Sequence, residues 1–298
     1  MSRVLICNPN SGSGNHVAQI RKLADQHGFD LYETDEEGDT KEFARTLGPD
    51  AEIVAACGGD GSVNEVVAGL YEADALEDTT LAVIPCGTGN NFAGQIGITD
   101  IETAFDVIER GEARKIDLAL ANGRPFVNSC VFGLTAEASA NTTPEMKAKY
   151  GVLAYVFTTF QTINSFEGMR LVIETDHEVA DSWAGEAVVA LIGNARRFPA
   201  SGGTQANVED GLLDVTIAEE RPTAELMGEA AISRFFGGET DHIHRLKTKS
   251  LTVSVLDGTG HFSLDGEMLE TDRLTIETLP QALSVFVGEG YKPVPEDA

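Results

Sequence analysis

The chain has 298 residues, 42% of them hydrophobic, and 21 Lys and Arg against 48 Asp and Glu leave a formal charge of −27. That is enough apolar material for one large or two medium domains with cores of their own. The sign of the charge excludes nucleic acid as a partner, because there is no basic field to displace counterions from phosphates, and it opposes docking on anionic lipid at ordinary salt.

Residues 4–7 read as a strand, and Met1-Ser2-Arg3-Val4 shows no signal-peptide pattern before it. Residues 15–26 carry an amphipathic helical pattern ending near Gly28; 29–33 read as a strand, 40–47 as a helix and 52–56 as a strand. A helical pattern over 63–71 follows, with apolar residues at Val63, Val66, Val67 and Leu70, then a strand at 81–85 and a helix at 101–110. Strands separated by helical patterns predict a parallel sheet with helices on both faces. The loops bearing Asn8, Gly58 and Gly87 then all leave the carboxyl ends of strands, where open α/β sheets bind ligands.

From about residue 115 the pattern changes. Residues 116–120, 125–130, 169–175, 186–192, 213–218, 250–256 and 260–264 are strand-like, punctuated by Asn122-Gly123, Gly202-Gly203, Asp210-Gly211 and Asp257-Gly258. Only 145–163 and 223–236 look helical here. Many short strands with hairpin turns predict a β-sandwich-like second domain. The stretch 147–160 is apolar nearly all round, which suits core packing or the wall of a lipid groove, and the apolar run at 151–160 is too short to span a bilayer.

The densest chemistry lies in Cys57-Gly58-Gly59-Asp60-Gly61-Ser62-Val63-Asn64-Glu65, a glycine-rich turn between a strand and a helix. Backbone N–H groups in such a turn can approach a phosphate with no Cβ in the way. Asp60 would repel a bare phosphate, so its presence points to a metal or a shared proton. A second candidate is Leu264-Asp265-Gly266-Glu267. In an extended segment Asp265 and Glu267 project to one face while Phe262 and Leu264 enter the core, and two close carboxylates raise each other's proton affinity, which suits one of them as a base toward an alcohol. Solvated acids in a hairpin turn are the alternative. Asn207-Val208-Glu209-Asp210-Gly211-Leu212 is a third; a turn carboxylate beside main-chain carbonyls either holds a hard cation or is an Asp-Gly turn without metal.

Four weaker signals complete the reading. Cys7, Cys57, Cys86 and Cys130 are far apart with no Cys-x-x-Cys pair, and are expected as buried, reduced, small hydrophobes. Asp241-His242-Ile243-His244 is an incomplete metal set and is expected as a surface loop, and Arg21 and Lys22 are expected on a solvated helix face. Low lysine content with dispersed Asp and Glu suits a salt-rich cytoplasm, where a Debye length of about 3 Å at 1 M salt screens the self-repulsion.

The 57–67 run resembles the signature of the diacylglycerol-kinase-like lipid kinases, and two further segments agree: the opening Val4-Leu5-Ile6-Cys7-Asn8-Pro9-Asn10-Ser11-Gly12-Ser13-Gly14, and Pro85-Cys86-Gly87-Thr88-Gly89-Asn90-Asn91-Phe92-Ala93. Order and spacing match, and weaker similarity continues to Gly290. Ser62 stands where that family usually has Thr, which keeps the hydroxyl, and Asn91 where it usually has Asp, which removes a charge from any metal or catalytic role at position 91. The resemblance implies a Rossmann-like, three-layer nucleotide-binding α/β domain over 1–121, rejoined by 276–298, whose strand at 282–287 returns to the first sheet, and a β-sandwich lipid-substrate domain over 122–275. It implies ATP contacts at Asn8, Thr34, Gly58, Gly59, Asp60, Gly61, Ser62, Asn64, Glu65, Gly87 and Thr88; catalytic roles for Asp60, Asp265 and Glu267; support from Asp117; and a structural Mg2+ at Asn207, Asp210 and Leu212. The implied reaction is ATP- and Mg2+-dependent phosphorylation of a diacylglycerol-like lipid alcohol by a cytoplasmic protein in transient contact with a membrane surface; a homodimer is left open. An NAD kinase, which shares the Gly-Gly-Asp-Gly turn, and a non-catalytic nucleotide- or lipid-binding protein are the alternatives.

Overall fold

A computed structural model describes residues 2–132, 169–175, 182–197, 204–219 and 243–295. The chain divides into two units, Met1–Leu118 with Arg124–Val127 and Leu279–Pro293, and Ala119–Gly123 with Asn128–Thr278 and Val294–Ala298.

The first unit is built on a parallel sheet. Strands β1 (Arg3–Cys7), β2 (Asp30–Glu33), β3 (Ile53–Gly58) and β4 (Thr80–Pro85) run in the order β2-β1-β3-β4, and the end of a late strand joins β4 through Ser284 and Val285. The order reverses between β1 and β3, which is the switch point where doubly wound sheets open a crevice. Every residue of β3 and all but the first of β1 and β4 are buried, as strands covered on both faces must be. Helix α2 (Asp39–Leu47) packs on α3 (Asp60–Glu72), while α1 (Val17–Gln26) and α5 (Ile101–Arg110) are linked by the rings of His27 and Phe29 against Phe105.

Helix α5 spans the expected 101–110 because both its ends are signalled locally. The Asp100 carboxylate accepts from the Thr103 N–H, and Gly111 closes the helix at φ 71°. Helix α3 begins three residues before the expected 63, since Asp60, Gly61 and Ser62 form its first turn without contributing to the apolar period. The glycine-rich loop is therefore shorter than the sequence suggests. A five-residue helix, α4 (Asn91–Gln95), has no counterpart in the expectations.

The second unit is antiparallel. Strands β7 (Ser129–Phe132), β8 (Met169–Thr175), β9 (Trp183–Gly193), β10 (Leu213–Glu219), β11 (Ile243–Thr248), β12 (Ser250–Val255), β13 (Gly260–Leu264), β14 (Glu267–Thr271) and the start of β15 (Arg273–Phe286) connect as β14-β13-β7-β9-β8-β12-β15, with β10 and β11 continuing from β9. Its core includes Leu171, Leu191, Ile192, Leu251, Val253 and Leu274, with the Phe132 and Phe262 rings 5.1 Å apart.

Several boundaries differ from expectation. The single strand expected over 125–130 is two, β6 (Arg124–Phe126) and β7, interrupted at Val127 and Asn128. Strand β5 (Ala113–Ala121) starts earlier than expected, and the final strand starts at Arg273 rather than 282. Residues 243 and 244, expected in a surface loop, belong to β11, where His244 Nε2 lies 2.7 Å from Glu219 Oε1. The expected helices at 145–163 and 223–236, the apolar stretch 147–160, and Gly202, Gly203, Asp241 and His242 lie outside the described residues. Among the described residues no helix is long and apolar enough to cross a membrane.

Candidate active site

In the first unit the three glycine-rich loops meet beyond the carboxyl ends of β1, β3 and β4. Asn8 donates its N–H to the Cys57 carbonyl at 3.0 Å, and its side-chain oxygen accepts from the Asn10 N–H at 2.9 Å, which folds the first loop on itself. Gly12, at φ 58°, passes so close to the Cys86 carbonyl that a Cβ would overlap it. The Gly58 carbonyl accepts from the N–H groups of Cys86 and Gly87, and a Cβ on Gly87 would overlap the Gly59 backbone. Asn90 closes a ring on Gly87, accepting from its N–H at 2.9 Å and donating to its carbonyl at 3.0 Å. Glycine is thus required by contact between backbones, and the result is a cradle lined by main chain at the N-terminus of α3.

The expected nucleotide contacts lie in or near this cradle. Gly58 and Gly59 lead into α3, Ser62 is buried in its first turn, and Glu65 is half-buried in the second. Asn64 is 4% exposed and its side-chain oxygen has no hydrogen-bond partner. Thr34, after β2, is buried and donates its N–H to the Cys7 carbonyl, while Thr88 is exposed. A main-chain cradle and an orphaned buried acceptor fit a nucleotide with phosphates and an N–H edge. Arg21 forms a two-pronged pair with Glu33 at 2.6 Å, in keeping with its expected place on a solvated face.

Asp60 has a defined task. One carboxylate oxygen accepts from the Asn91 N–H at 3.0 Å and the Asn91 side-chain amide at 2.9 Å; the other accepts from the Phe92 N–H at 2.8 Å. It therefore caps α4 and fixes the third loop to the second. Asn91 has a physical account here: its amide donates where an Asp would set a second negative charge against Asp60. Asp117, 1% exposed, accepts from the Gln281 N–H at 2.8 Å, where β15 takes a positive φ of 51°.

In the second unit the expected geometry of the acid pair does not hold. Asp265 and Gly266, at φ 48° and 105°, form a two-residue turn between β13 and β14, so strand alternation stops at Leu264. Asp265 turns back to accept from the N–H groups of Asn128 at 2.9 Å and Ser129 at 2.8 Å, and donates its own N–H to the Ser129 carbonyl. Burial, with the Asp265 charge added, pushes the neighbouring Cys130 thiol up. Glu267 instead opens β14 opposite Leu264 and is exposed.

The expected Mg2+ set also differs. Asn207 Oδ1 accepts from the Glu209 N–H and Asp210 Oδ1 from the Leu212 N–H, both at 3.0 Å. The other Asp210 oxygen lies 3.2 Å from the Lys247 ammonium, which is 3.9 Å from Asp214. Burial holds the Asp214 carboxyl above its usual range, with Lys247 and Arg197 pulling it down. A lysine supplies the positive charge that the cation would bring, so Asn207, Asp210 and Leu212 do not fit Mg2+ as they stand. Asn90, Lys247 and the Asn128–Ser129 N–H pair were not singled out in the sequence; of these only Asn90, within the third loop, carried a local signal.

The first unit matches the profile of the "Diacylglycerol kinase catalytic domain" over residues 2–121, and residues 128–287 match the "YegS C-terminal NAD kinase beta sandwich-like domain". The chain is 31% identical over 274 residues to a diacylglycerol kinase of Staphylococcus saprophyticus and 30% identical over 272 residues to one of Bacillus subtilis, covering 88% of each chain in both cases. A solved Bacillus anthracis structure superposes with a TM-score of 0.79 at 28% identity, over 98% of this chain and 96% of the other. An NAD kinase from Archaeoglobus fulgidus in complex with ATP shares the fold alone, with a TM-score of 0.53 at 11% identity, over 96% and 94% of the two chains. With both halves of the fold matched in order, the chain belongs to the diacylglycerol kinase catalytic-domain family.

Proposed function

We propose that this chain is an ATP-dependent phosphotransferase whose acceptor is the hydroxyl of a diacylglycerol-like lipid alcohol. The observation that carries this reading is the main-chain cradle in which Gly12, Gly59 and Gly87 bring three loops into backbone contact. Such a cradle suits polyphosphate, and the family supplies the acceptor class.

In this reading the first unit takes MgATP as a substrate, with its phosphates against the loop N–H groups and the Ser62 and Thr88 hydroxyls, and Asn8, Thr34, Asn64 and Glu65 contribute to nucleotide contacts. Asp60 keeps the third loop in place and is the acid assigned to the magnesium that the nucleotide brings. Phosphoryl transfer needs positioning and charge stabilisation more than covalent help from the protein. Asp265 is committed to main-chain N–H groups, so we assign it the positioning of the turn, and assign acceptance of the substrate proton to exposed Glu267. Asp117 supports the cradle by holding the β15 backbone at Gln281. A lipid acceptor requires transient contact with a membrane surface from a cytoplasmic protein, and the charge of −27 suits that contact to high salt.

The test is to incubate the protein with labelled ATP, Mg2+ and either mixed micelles of diacylglycerol or NAD. Label appearing in phosphatidic acid supports the reading. Phosphorylated NAD with no labelled lipid would overturn it in favour of an NAD kinase, and ATP binding without either product in favour of a sensor.

A further inference from the structure

Three strands of the first unit deliver thiols to one place. Cys7 ends β1 and is the register partner of Cys57 on β3. Cys86 follows β4 directly, and its sulfur lies 3.3 Å from that of Cys57. His16 stands just before α1, and a ring nitrogen of His16 and the sulfurs of Cys7 and Cys57 all lie within 4.8 Å of one another, with all three residues buried. His16 Nε2 is 3.2 Å from the Asn8 carbonyl oxygen. A carbonyl can only accept, so in the neutral tautomer that makes this bond Nε2 carries the proton and the Nδ1 lone pair is left over. Metal-binding imidazoles are typically held in this way, with the second nitrogen donating to a carbonyl or carboxylate.

We propose that Cys7, His16 and Cys57 form a binding site for a thiophilic cation of the Zn2+ class at the root of the first two glycine-rich loops. Two thiolates and an imidazole supply three of the four donors of tetrahedral zinc, and the Cys86 sulfur, 3.3 Å from that of Cys57, stands beside them. Zn–S bonds of about 2.3 Å place sulfurs about 3.8 Å apart in a tetrahedron. The 4.8 Å limit on the donor atoms of Cys7, His16 and Cys57 lies about an ångström above that spacing. The donors include no oxygen, which excludes Mg2+ and Ca2+. Packing as small hydrophobes accounts for one buried thiol at a time; it does not account for a buried imidazole against two of them.

Binding replaces each S–H bond by an S–Zn bond. Two protons leave to solvent, nothing is oxidised, and the neutral imidazole contributes its lone pair unchanged. The ion would tie together the backbone that leads into the first two loops, so it stabilises the cradle without touching the nucleotide. The site stands independently of the lipid-kinase reading.

The test uses the full chain, reduced and stripped with a chelator, and titrated without oxygen first with Co2+ and then with Zn2+. The expected result is one Co2+ per chain with thiolate-to-cobalt charge-transfer absorption and tetrahedral d–d bands, all lost on adding equimolar Zn2+, and a melting temperature raised by Zn2+. His16→Gln and Cys57→Ser should each weaken Zn2+ binding by roughly 10²-fold or more. His16→Gln lies outside the sheet, so it keeps the test decisive if Cys57→Ser does not fold. Absence of the charge-transfer band in the reduced wild type, or unchanged Zn2+ affinity in His16→Gln, overturns the proposal. A Cys57–Cys86 disulfide forming under mild oxidant in a protein that takes up no Zn2+ when reduced also overturns it, in favour of a redox pair.

Discussion

Replacing Asn91 by Asp tests whether this loop has been rebuilt to stand without a cation. The Asn91 amide nitrogen lies 2.9 Å from the Asp60 carboxylate. Two unit charges at that separation repel by about 6 kcal/mol at an effective dielectric constant of about 20. The charge-assisted hydrogen bond that is lost had been worth about 1.5–3 kcal/mol. Rotation of the new side chain toward water and partial protonation relieve much of this, because both residues are half-buried. A net destabilisation of about 2–4 kcal/mol in chelator should remain, which at roughly 2–3 °C per kcal/mol lowers the melting temperature by roughly 5–10 °C. Millimolar Mg2+ should restore most of the difference from wild type, since the pair then becomes a hard-cation site. Asn91→Ala keeps the two main-chain bonds to Asp60, should cost only about 1 kcal/mol, and should show no such Mg2+ response. The assay is calorimetric melting of all three proteins with chelator and with Mg2+. An Asn91→Asp protein that melts with the wild type in chelator, or an equal Mg2+ response in Asn91→Ala, would refute the reasoning.

Other outcomes follow from the same contacts. Asp60→Ala should lower phosphoryl transfer by roughly 10²-fold or more and loosen the 91–95 turn, seen as faster amide exchange at Asn91 and Phe92; near-normal turnover would remove Asp60 from the site. Glu267→Gln should lose roughly 10²–10⁴-fold in kcat while binding ATP normally by calorimetry, whereas Asp265→Asn should mainly lower the melting temperature; the reverse pattern would exchange the two roles. Lys247→Met should raise the Asp214 carboxyl further, because the ammonium now opposes the effect of burial, and should create Mg2+-dependent stability absent from the wild type; no Mg2+ response would show that the Asn207–Leu212 turn cannot hold the ion. Melting temperature should climb from dilute to molar KCl, and a flat curve would rule out adaptation to high salt.

The α/β half was legible because its signals are local. Asp100 and Gly111 mark α5 from either side, and β3 is a buried run between turn residues. The N-terminus of α3 was misplaced because an apolar period cannot register Asp60-Gly61-Ser62, of which Asp60 bonds the third loop. Strand β14, Glu267-Met268-Leu269-Glu270-Thr271, alternates too weakly to be seen, and β11 mixes His, Arg and Lys into its pattern. The shared face assigned to Asp265 and Glu267 failed for a definite reason: alternation presumes extended backbone, and both central residues of this turn are at positive φ. Lys247 was invisible because its partner Asp210 is 37 residues away and only the pairing of β10 with β11 brings them together.

The chain's charge bears directly on how it holds a phosphate. Residues 8–14, 58–62 and 86–92 contain no Lys or Arg. Arg21 and Arg45, on neighbouring helices, are paired with Glu33 and Glu42. Within these three loops, positive potential comes from main-chain N–H groups and the N-terminus of α3, which act at hydrogen-bond range. The repulsion that a body of charge −27 exerts on ATP acts over the Debye length instead. Added salt therefore screens the repulsion and leaves the attraction nearly untouched. A basic pocket loses affinity as salt rises, whereas a backbone cradle in an acidic protein gains it. This is also why the three glycines cannot be exchanged for residues that would carry charge: any Cβ at Gly12 or Gly87 would part the loops whose contact makes the N–H groups converge.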